Sequence, residues 1–452
     1  MSLSRVLPWV PLGLALAACE SSSPMPAAAA GQPHAGEASP GATAPSSASP
    51  AVSGDPTAPP AKSAAGDEDS APVDDAALAA DVRSANSFSL KVLARTKKPT
   101  DNALVSGTSL RHALGTTYLG ARGPTAREMA TALSLDTDAK AAARLARAEL
   151  AAWQDAAGEA ELNIASRLWI DDGFTVAPDF TRAAERGFGA APASVDYAKA
   201  DDARKTINAW VAEKTKDKIP ELLPQGSVDP RTQLVVTNAI WFKARWAFPF
   251  PKAATKDEAF KVEGKKSVTV PMMHLTDSFR VTTQPGVKIL EMPYGGSQLS
   301  MLIVLPDDPG ALAKVEASLG PDVLERWTDQ LAPARVNVTL PRFTFRSGGV
   351  MNTTLQDLGM KTAFTDKADF GGIAEPRGGE RLYVNQVFHQ TYVAVDELGT
   401  EAAAATGATM RTTSMITGPV VEFKADHPFL FLVQDTKHGR LLFAGRVANP
   451  KG

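Results

Sequence analysis

Residues 396–414, DELGTEAAAATGATMRTTS, constrain the fold of this 452-residue chain more than any other stretch. They sit between apolar, strand-like runs, QTYVAV before and VVEF with HPFLFLV after. Four consecutive alanines, Ala402, Ala403, Ala404 and Ala405, favour helix, because alanine is the best helix former. Gly399, Gly407 and the surrounding threonines oppose it, and a short isolated helix is marginal in water. With the period of two that a strand imposes, the even positions are Thr400, Ala402, Ala404, Thr406, Ala408, Met410 and Thr412, all uncharged. The charges between 400 and 413, Glu401 and Arg411, fall on the odd face. Such a segment can enter a sheet with even side chains toward a packed core and odd ones toward solvent.

The N-terminus reads as an export device. MSLSRVLPWVPLGLALAAC has Arg5, an apolar stretch and the small-residue run Leu16, Ala17, Ala18 ahead of Cys19, the chain's single cysteine. It is too short to span a bilayer as a retained helix. Leu-Ala-Ala-Cys resembles the bacterial lipoprotein processing site, which implies cleavage of residues 1–18 and acylation of Cys19; an ordinary cleaved signal with an incidental cysteine is the alternative. Several acyl chains, at about 0.8 kcal/mol per buried CH₂, anchor stably where one does not. One cysteine excludes intramolecular disulfides. Through residue 75 the chain is Ala, Ser, Pro and Gly with almost no large apolar residue, so it cannot offset its ordering entropy. Residues 19–75 thus form a lipidated cysteine plus a disordered tether, with an r.m.s. span on the order of 40 Å for about 55 flexible residues.

The folded part runs from 76 to 452, and 44% hydrophobic content suffices for a substantial core. A net charge of −3 gives no general attraction to nucleic acid. Apolar periodicity predicts a helix from Ala76 to Thr96, a second within 102–133 with Ser106–Ser109 as cap candidates, an alanine-rich helix over 139–153 and an amphipathic one over 200–223. Alternating or continuous apolar runs predict strands at 161–170 and 232–250, then short ones around VTVPMMHL, FRVTTQ, VKILEMPY and SQLSMLIVLP. A helix over 310–330, strand-like RVNVTLPRFTFRSGG and a helix over 351–364 follow. Lys140, Arg144 and Arg147 fall at helical spacing, diluted by Glu149 and Asp155, and read as a solvated face.

Catalytic signatures are missing: there is no G-x-S-x-G, H-E-x-x-H, G-x-x-x-x-G-K-[ST] or paired-cysteine metal spacing. The histidines, at 34, 112, 274, 389, 427 and 438, are scattered. No metal, no cofactor and no enzymatic activity are expected.

Glu397, Gly399, Thr400, Glu401 and Ala402 to Ala405 resemble the hinge of the reactive-centre loop of an inhibitory serpin. FKADHPFLFLVQDTKHGRLLFAGRVANP, from Phe423 to Pro450, is similar to that family's C-terminal signature. The resemblance covers about Ala76 to Gly452, with Gly107 and Ala244 departing from the family's usual proline and glycine. It implies an α+β serpin fold, mainly antiparallel sheets with surrounding helices and an exposed reactive-centre loop. It further implies that Ser106, Ser109, Asn238 and His389 form the polar cluster where strands of the main sheet part, called the shutter. Ser106 and Ser109 also read as helix caps. Trp246 and Glu397 map to the top of the sheet, the breach, although Trp246 reads equally as core. The family's hinge spacing sets the reactive bond at Thr413–Ser414, with Arg411–Thr412 as runner-up. The implied function is suicide inhibition of serine proteases, with cysteine proteases as the second class, by inserting the cleaved loop into the sheet. The partner is then a covalently held protease. A monomer is expected, exported and anchored through Cys19 to the cell envelope outside the cytoplasmic membrane. The alternative is a non-inhibitory carrier or chaperone of the same family.

Overall fold

The computed structural model of the chain describes residues 73–400 and 418–452, apart from 97, 99, 263–265 and 377. The expected signal, Cys19, nearly all of the tether, Glu401 to Ala405 and both candidate bonds among Arg411, Thr412, Thr413 and Ser414 lie outside the described residues.

Asp74 caps the first helix, α1 (Asp75–Arg95), its carboxylate accepting from the Ala77 N–H. After β1 (Ala103–Val105), the Ser106 hydroxyl accepts from Ser109 N–H to cap α2 (Gly107–Tyr118), whose residues are all buried. There follow α3 (Gly123–Leu133), α4 (Ala139–Ala157), β2 (Glu161–Asp171), α5 (Pro178–Phe188), β3 (Ala193–Val195), α6 (Ala200–Lys214) and β4 (Leu234–Arg245). The chain then becomes strand-rich, with β5 (Lys256–Val262), β6 (Lys266–Gln284), β7 (Val287–Pro293) and β8 (Leu299–Pro306). Helices α7 (Leu312–Ser318) and α8 (Pro321–Asp329) precede β9 (Ala332–Pro341) and β10 (Phe343–Val350). Last come α9 (Asn352–Asp357), β11 (Gln386–Val395), β12 (Gly399–Thr400), β13 (Val421–Lys424), β14 (Phe429–Asp435) and β15 (Leu441–Val447).

One sheet has the order β10-β11-β12-β4-β2-β3, the other β1-β15-β14-β8-β7-β6-β9-β13 with β5 beside β6. Among the described residues the named strand pairs are antiparallel except β4–β11, β2–β3 and β9–β13. The first sheet is the one that matters for function. Its strand β4 alternates strictly: Leu234, Val236, Ile240, Phe242 and Ala244 face the large cores, while Val235 and Ala239 join Ile207 and Val211 of α6 on the other face. Helix α2 lies under the first face and α6 over the second.

Several expected elements differ in extent. VTVPMMHL and FRVTTQ form the single 19-residue strand β6, because β9 pairs with it without interruption from Met272 to Val281. The 200–223 helix stops at Lys214, where Lys216 and Asp217 turn left-handed and the Asn208 side chain binds the returning backbone at Leu222 and Leu223. The 102–133 segment splits into β1, α2 and α3; a Cβ on Gly120 would lie 2.2 Å from the Ile373 side chain, so the break sits at a close approach of the chain to itself. The 310–330 helix divides before Pro321, which starts α8. RVNVTLPRFTFRSGG is two strands in different sheets, joined at Arg342. Gly107 packs so tightly on α1 that a Cβ there would sit 2.4 Å from Ser89 Cα, closer than a proline permits.

Candidate functional site

Strands β4 and β11 run parallel and in contact from Val235–Trp241 and Gln386–Tyr392. Above that they diverge, and β12 occupies the gap, with Thr400 opposite Ala244 on one side and Val395 on the other, antiparallel to both. Thr400 is buried and its hydroxyl lies 2.7 Å from the Tyr294 hydroxyl. Thr400, the first even position, points inward. Gly399 is required by the approach of β4, since a Cβ there would stand 2.0 Å from the Ala244 carbonyl oxygen.

Glu397 fixes the turn that leads into β12. Its buried carboxylate accepts from Arg342 Nε at 2.9 and 2.8 Å, from Arg342 Nη2 and from the Thr255 hydroxyl. Burial by itself raises a carboxyl pKa, but the hydrogen bonds from Arg342 and Thr255 hold Glu397 below the ordinary range. Trp246 does more than fill the core. Its backbone N–H donates to Leu398 O, its indole N–H to Asp396 O, and its ring stacks on Tyr294 at 4.6 Å.

Midway down the seam the four expected shutter residues come together. His389 and Asn238 are register partners across β11 and β4. The Ser106 N–H donates to His389 Nε2 at 3.1 Å, so Nδ1 carries the proton and donates to Asn238 Oδ1 at 2.7 Å. The Asn238 amide donates to Ser109 Oγ at 2.7 Å and to Ser166 Oγ at 2.6 Å. Burial pushes His389 down to about 4, keeping it neutral. At the foot, Asn385 Oδ1 accepts from the N–H groups of Gln233 and Leu234, stitching β11 to β4.

Arg342, Thr255, Tyr294, Ser166 and Asn385 were not singled out from the sequence. Ser166 carried a signal, a lone hydroxyl on the even face of ELNIASRLWI between Ile164 and Leu168. Arg342 carried none, because its partner is 55 residues away.

A sheet whose central strands part to admit the start of another strand, above a buried polar cluster, defines a class of protein. A family model described as serpin (serine protease inhibitor) matches residues 83–450. Bovine leukocyte elastase inhibitor is 38% identical over 362 residues, 78% of this chain and 94% of that protein. Among solved structures, Serpin48 of the insect Tenebrio molitor aligns with TM-score 0.73 and 31% identity over 84% of this chain and all of its own. Human thyroxine-binding globulin, in complex with thyroxine, aligns with TM-score 0.75 and 26% identity over 83% of this chain and all of its own. The chain belongs to the serpin family.

Proposed function

We propose that the chain is a suicide inhibitor of serine proteases, with cysteine proteases as the second target class. The protease attacks Thr413–Ser414, or Arg411–Thr412, and forms an acyl-enzyme. The hinge half of the loop then inserts between β4 and β11 and distorts the attached protease before water releases it. The protein turns over no substrate of its own.

The carrying observation is the register of β12. Thr400 stands opposite Ala244 and Val395, so a strand continued in the same antiparallel register sets Thr406 opposite Asn238 and His389, and Met410 opposite Leu234 and Asn385. The even residues then face the same core as Val236, Ile240 and Phe242. Insertion breaks one parallel β4–β11 ladder and makes two antiparallel ones, each net hydrogen bond contributing about 0.5–1.5 kcal/mol. The Asn238–His389 pair is split in the process, and Thr406 arrives with a hydroxyl able to bond both.

A panel of serine proteases mixed with the domain tests this directly. An SDS-resistant covalent band is expected, with a released C-terminal peptide beginning at Ser414 or Thr412 by mass spectrometry. Cleaved domain without a covalent band, for every protease, would refute the reading. The carrier alternative draws on likeness to a thyroxine-binding protein, but non-inhibitory members commonly bear charged or bulky hinge residues, and Ala402 to Ala405 are small and uncharged.

We also infer, from Leu16, Ala17, Ala18 and Cys19, an acylated, envelope-anchored monomer held outside the cytoplasmic membrane on its tether. Cys19→Ser should move the protein from the membrane to the soluble fraction; unchanged partitioning would remove the anchor.

A further inference from the structure

Two glutamines on β11, Gln386 and Gln390, each bury a side-chain oxygen that has no hydrogen-bond partner among the described residues. Buried polar atoms ordinarily have partners. Both residues share the parity of Phe388, which joins Val235 and Ala239 of β4 and Ile207 and Val211 of α6 in one apolar cluster. Both therefore lie on the face of the seam turned toward α6. In the closed sheet Gln386 is the register partner of Val235, and Gln390 of Ala239, neither of which can hydrogen-bond through its side chain. Gln386 also lines a cavity of about 460 Å³ at the foot of the seam, with Ser227, Thr232 and Tyr383.

The register of β12 determines what arrives there. Continued antiparallel from Thr400, which stands opposite Ala244 and Val395, an inserted strand sets Thr409 between Val235 and Gln386, and Ala405 between Ala239 and Gln390. Odd residues of that strand share the α6 face with the two glutamines. Directly opposed residues on one face of an antiparallel pair have Cβ atoms about 4.5–5.5 Å apart, within reach of a hydroxyl and a glutamine amide. A hydroxyl both donates and accepts, so Thr409 satisfies the Gln386 amide whichever way that amide is turned. Ala405 offers Gln390 nothing.

We propose that Gln386 is a positioning residue for the end of the inserted strand: its amide, unpaired in the closed sheet, takes the Thr409 hydroxyl once the hinge half has run down the seam. This rests on the inhibitory reading. Position 409 is near either candidate bond, so this contact forms late and holds the strand's end, and with it the attached protease, at the limit of travel. It does not speed entry, which begins at Thr400; it opposes withdrawal. A strand end that slips back lets the protease regain its active geometry. Water then cleaves the ester between the protease nucleophile and the loop carbonyl, returning free enzyme and a loop ending in a carboxylate. The pair is therefore read in how long trapping lasts.

The test isolates covalent complexes with a protease that gives the SDS-resistant band and follows the return of protease activity. Gln386→Leu and Thr409→Val should each release active protease roughly three- to tenfold faster than wild type, and the double variant no faster than either single one. Thr409→Ser returns the hydroxyl and should restore slow release. Gln390→Leu, opposite Ala405, should release at the wild-type rate. Circular dichroism and thermal unfolding of the intact proteins confirm that each variant is folded. A purely structural role for Gln386 makes the two effects multiply in the double variant; that outcome, or wild-type release from either single variant, overturns the pair. If no protease is trapped, the inhibitory reading fails by itself, and the same four proteins of the cycle are compared by guanidinium midpoints after nicking behind Arg411 or Thr413. Coupling between positions 386 and 409 in the nicked form and not in the intact one upholds the pair, and its absence overturns it.

Discussion

The seam between β4 and β11 is closed by different chemistry at its top and at its middle. At the top, the ionised Glu397 is held by Arg342 and Thr255, and Trp246 grips the backbone on either side of it. The middle is neutral: His389, Asn238, Ser106 and Ser109 are buried and share hydrogen bonds, with half-buried Ser166 at their edge. Arg342 is exposed but Glu397 is buried, so losing the cation would strand a buried carboxylate at high cost, and the top suits a fixed pivot. Neutral donors and acceptors can be exchanged for others at little net change. The middle thus suits a place where a strand must part and be replaced.

This contrast makes β12 a strand already started, stopped above a cluster that must open. Completing it gives the largest expected effect. Cleavage within 408–415 frees the hinge half to run down the seam, adding on the order of ten net hydrogen bonds at about 1 kcal/mol each. For a domain of this size, with an unfolding entropy of about 0.8 kcal/mol per kelvin, that raises the unfolding temperature by about 10 °C or more. Calorimetry of nicked and intact protein measures it. Equal midpoints would mean that the seam does not open after cleavage.

Arginine at position 400 tests the top next. Thr400 is buried against Tyr294, so Thr400→Arg forces a long cation into an apolar slot, at a cost of several kcal/mol. Insertion should slow by at least about tenfold, while the acyl bond, thirteen residues on, still forms. The variant should behave as a substrate, leaving the protease active, whereas Glu401→Arg on the odd face should retain most trapping. Stoichiometries of inhibition are the readout. Similar values for the two variants would remove the inward assignment of the even face.

How much of this was visible in the residues differs between the same two places. The middle was legible through the family resemblance; from the residues alone Ser106 and Ser109 read only as helix caps. The resemblance named all four, and only Ser166 was passed over. The top was half legible: Glu397, Gly399 and Trp246 were marked, but the residues that receive them, Arg342, Thr255 and Tyr294, are distant in sequence. Arg342 in particular sat inside what read as one strand, RVNVTLPRFTFRSGG, because alternation does not reveal where a chain crosses from one sheet to another. The helix over 200–223 failed for a related reason. Its apolar spacing continues past Lys214 through Ile219 and Leu222, both buried, although the backbone has already turned back onto Asn208.

Acid should separate the two closures with the smallest and most diagnostic effect. His389 is held down to about 4 by burial, against an ordinary value near 6.5. As pH falls through about 6.5 the unfolded chain takes up a proton that the folded one refuses until about 4, so stability declines across that window and then levels. The linked loss is about 3 kcal/mol. Glu397 acts later. Its folded value is lowered, so its contribution is intact above about 4.5, where the unfolded carboxyl titrates, and is lost only as pH drops through the folded value. Between pH 6.5 and 4.5, then, the middle weakens while the top stays closed. Denaturation midpoints at half-unit steps should slope downward across this window in the wild type. The slope should be shallower in His389→Gln, which has no group titrating there, and in Glu397→Gln the wild-type slope should persist. Parallel slopes for wild type and His389→Gln would show that burial does not hold His389 below its ordinary value, and would remove the acid sensitivity assigned to the middle.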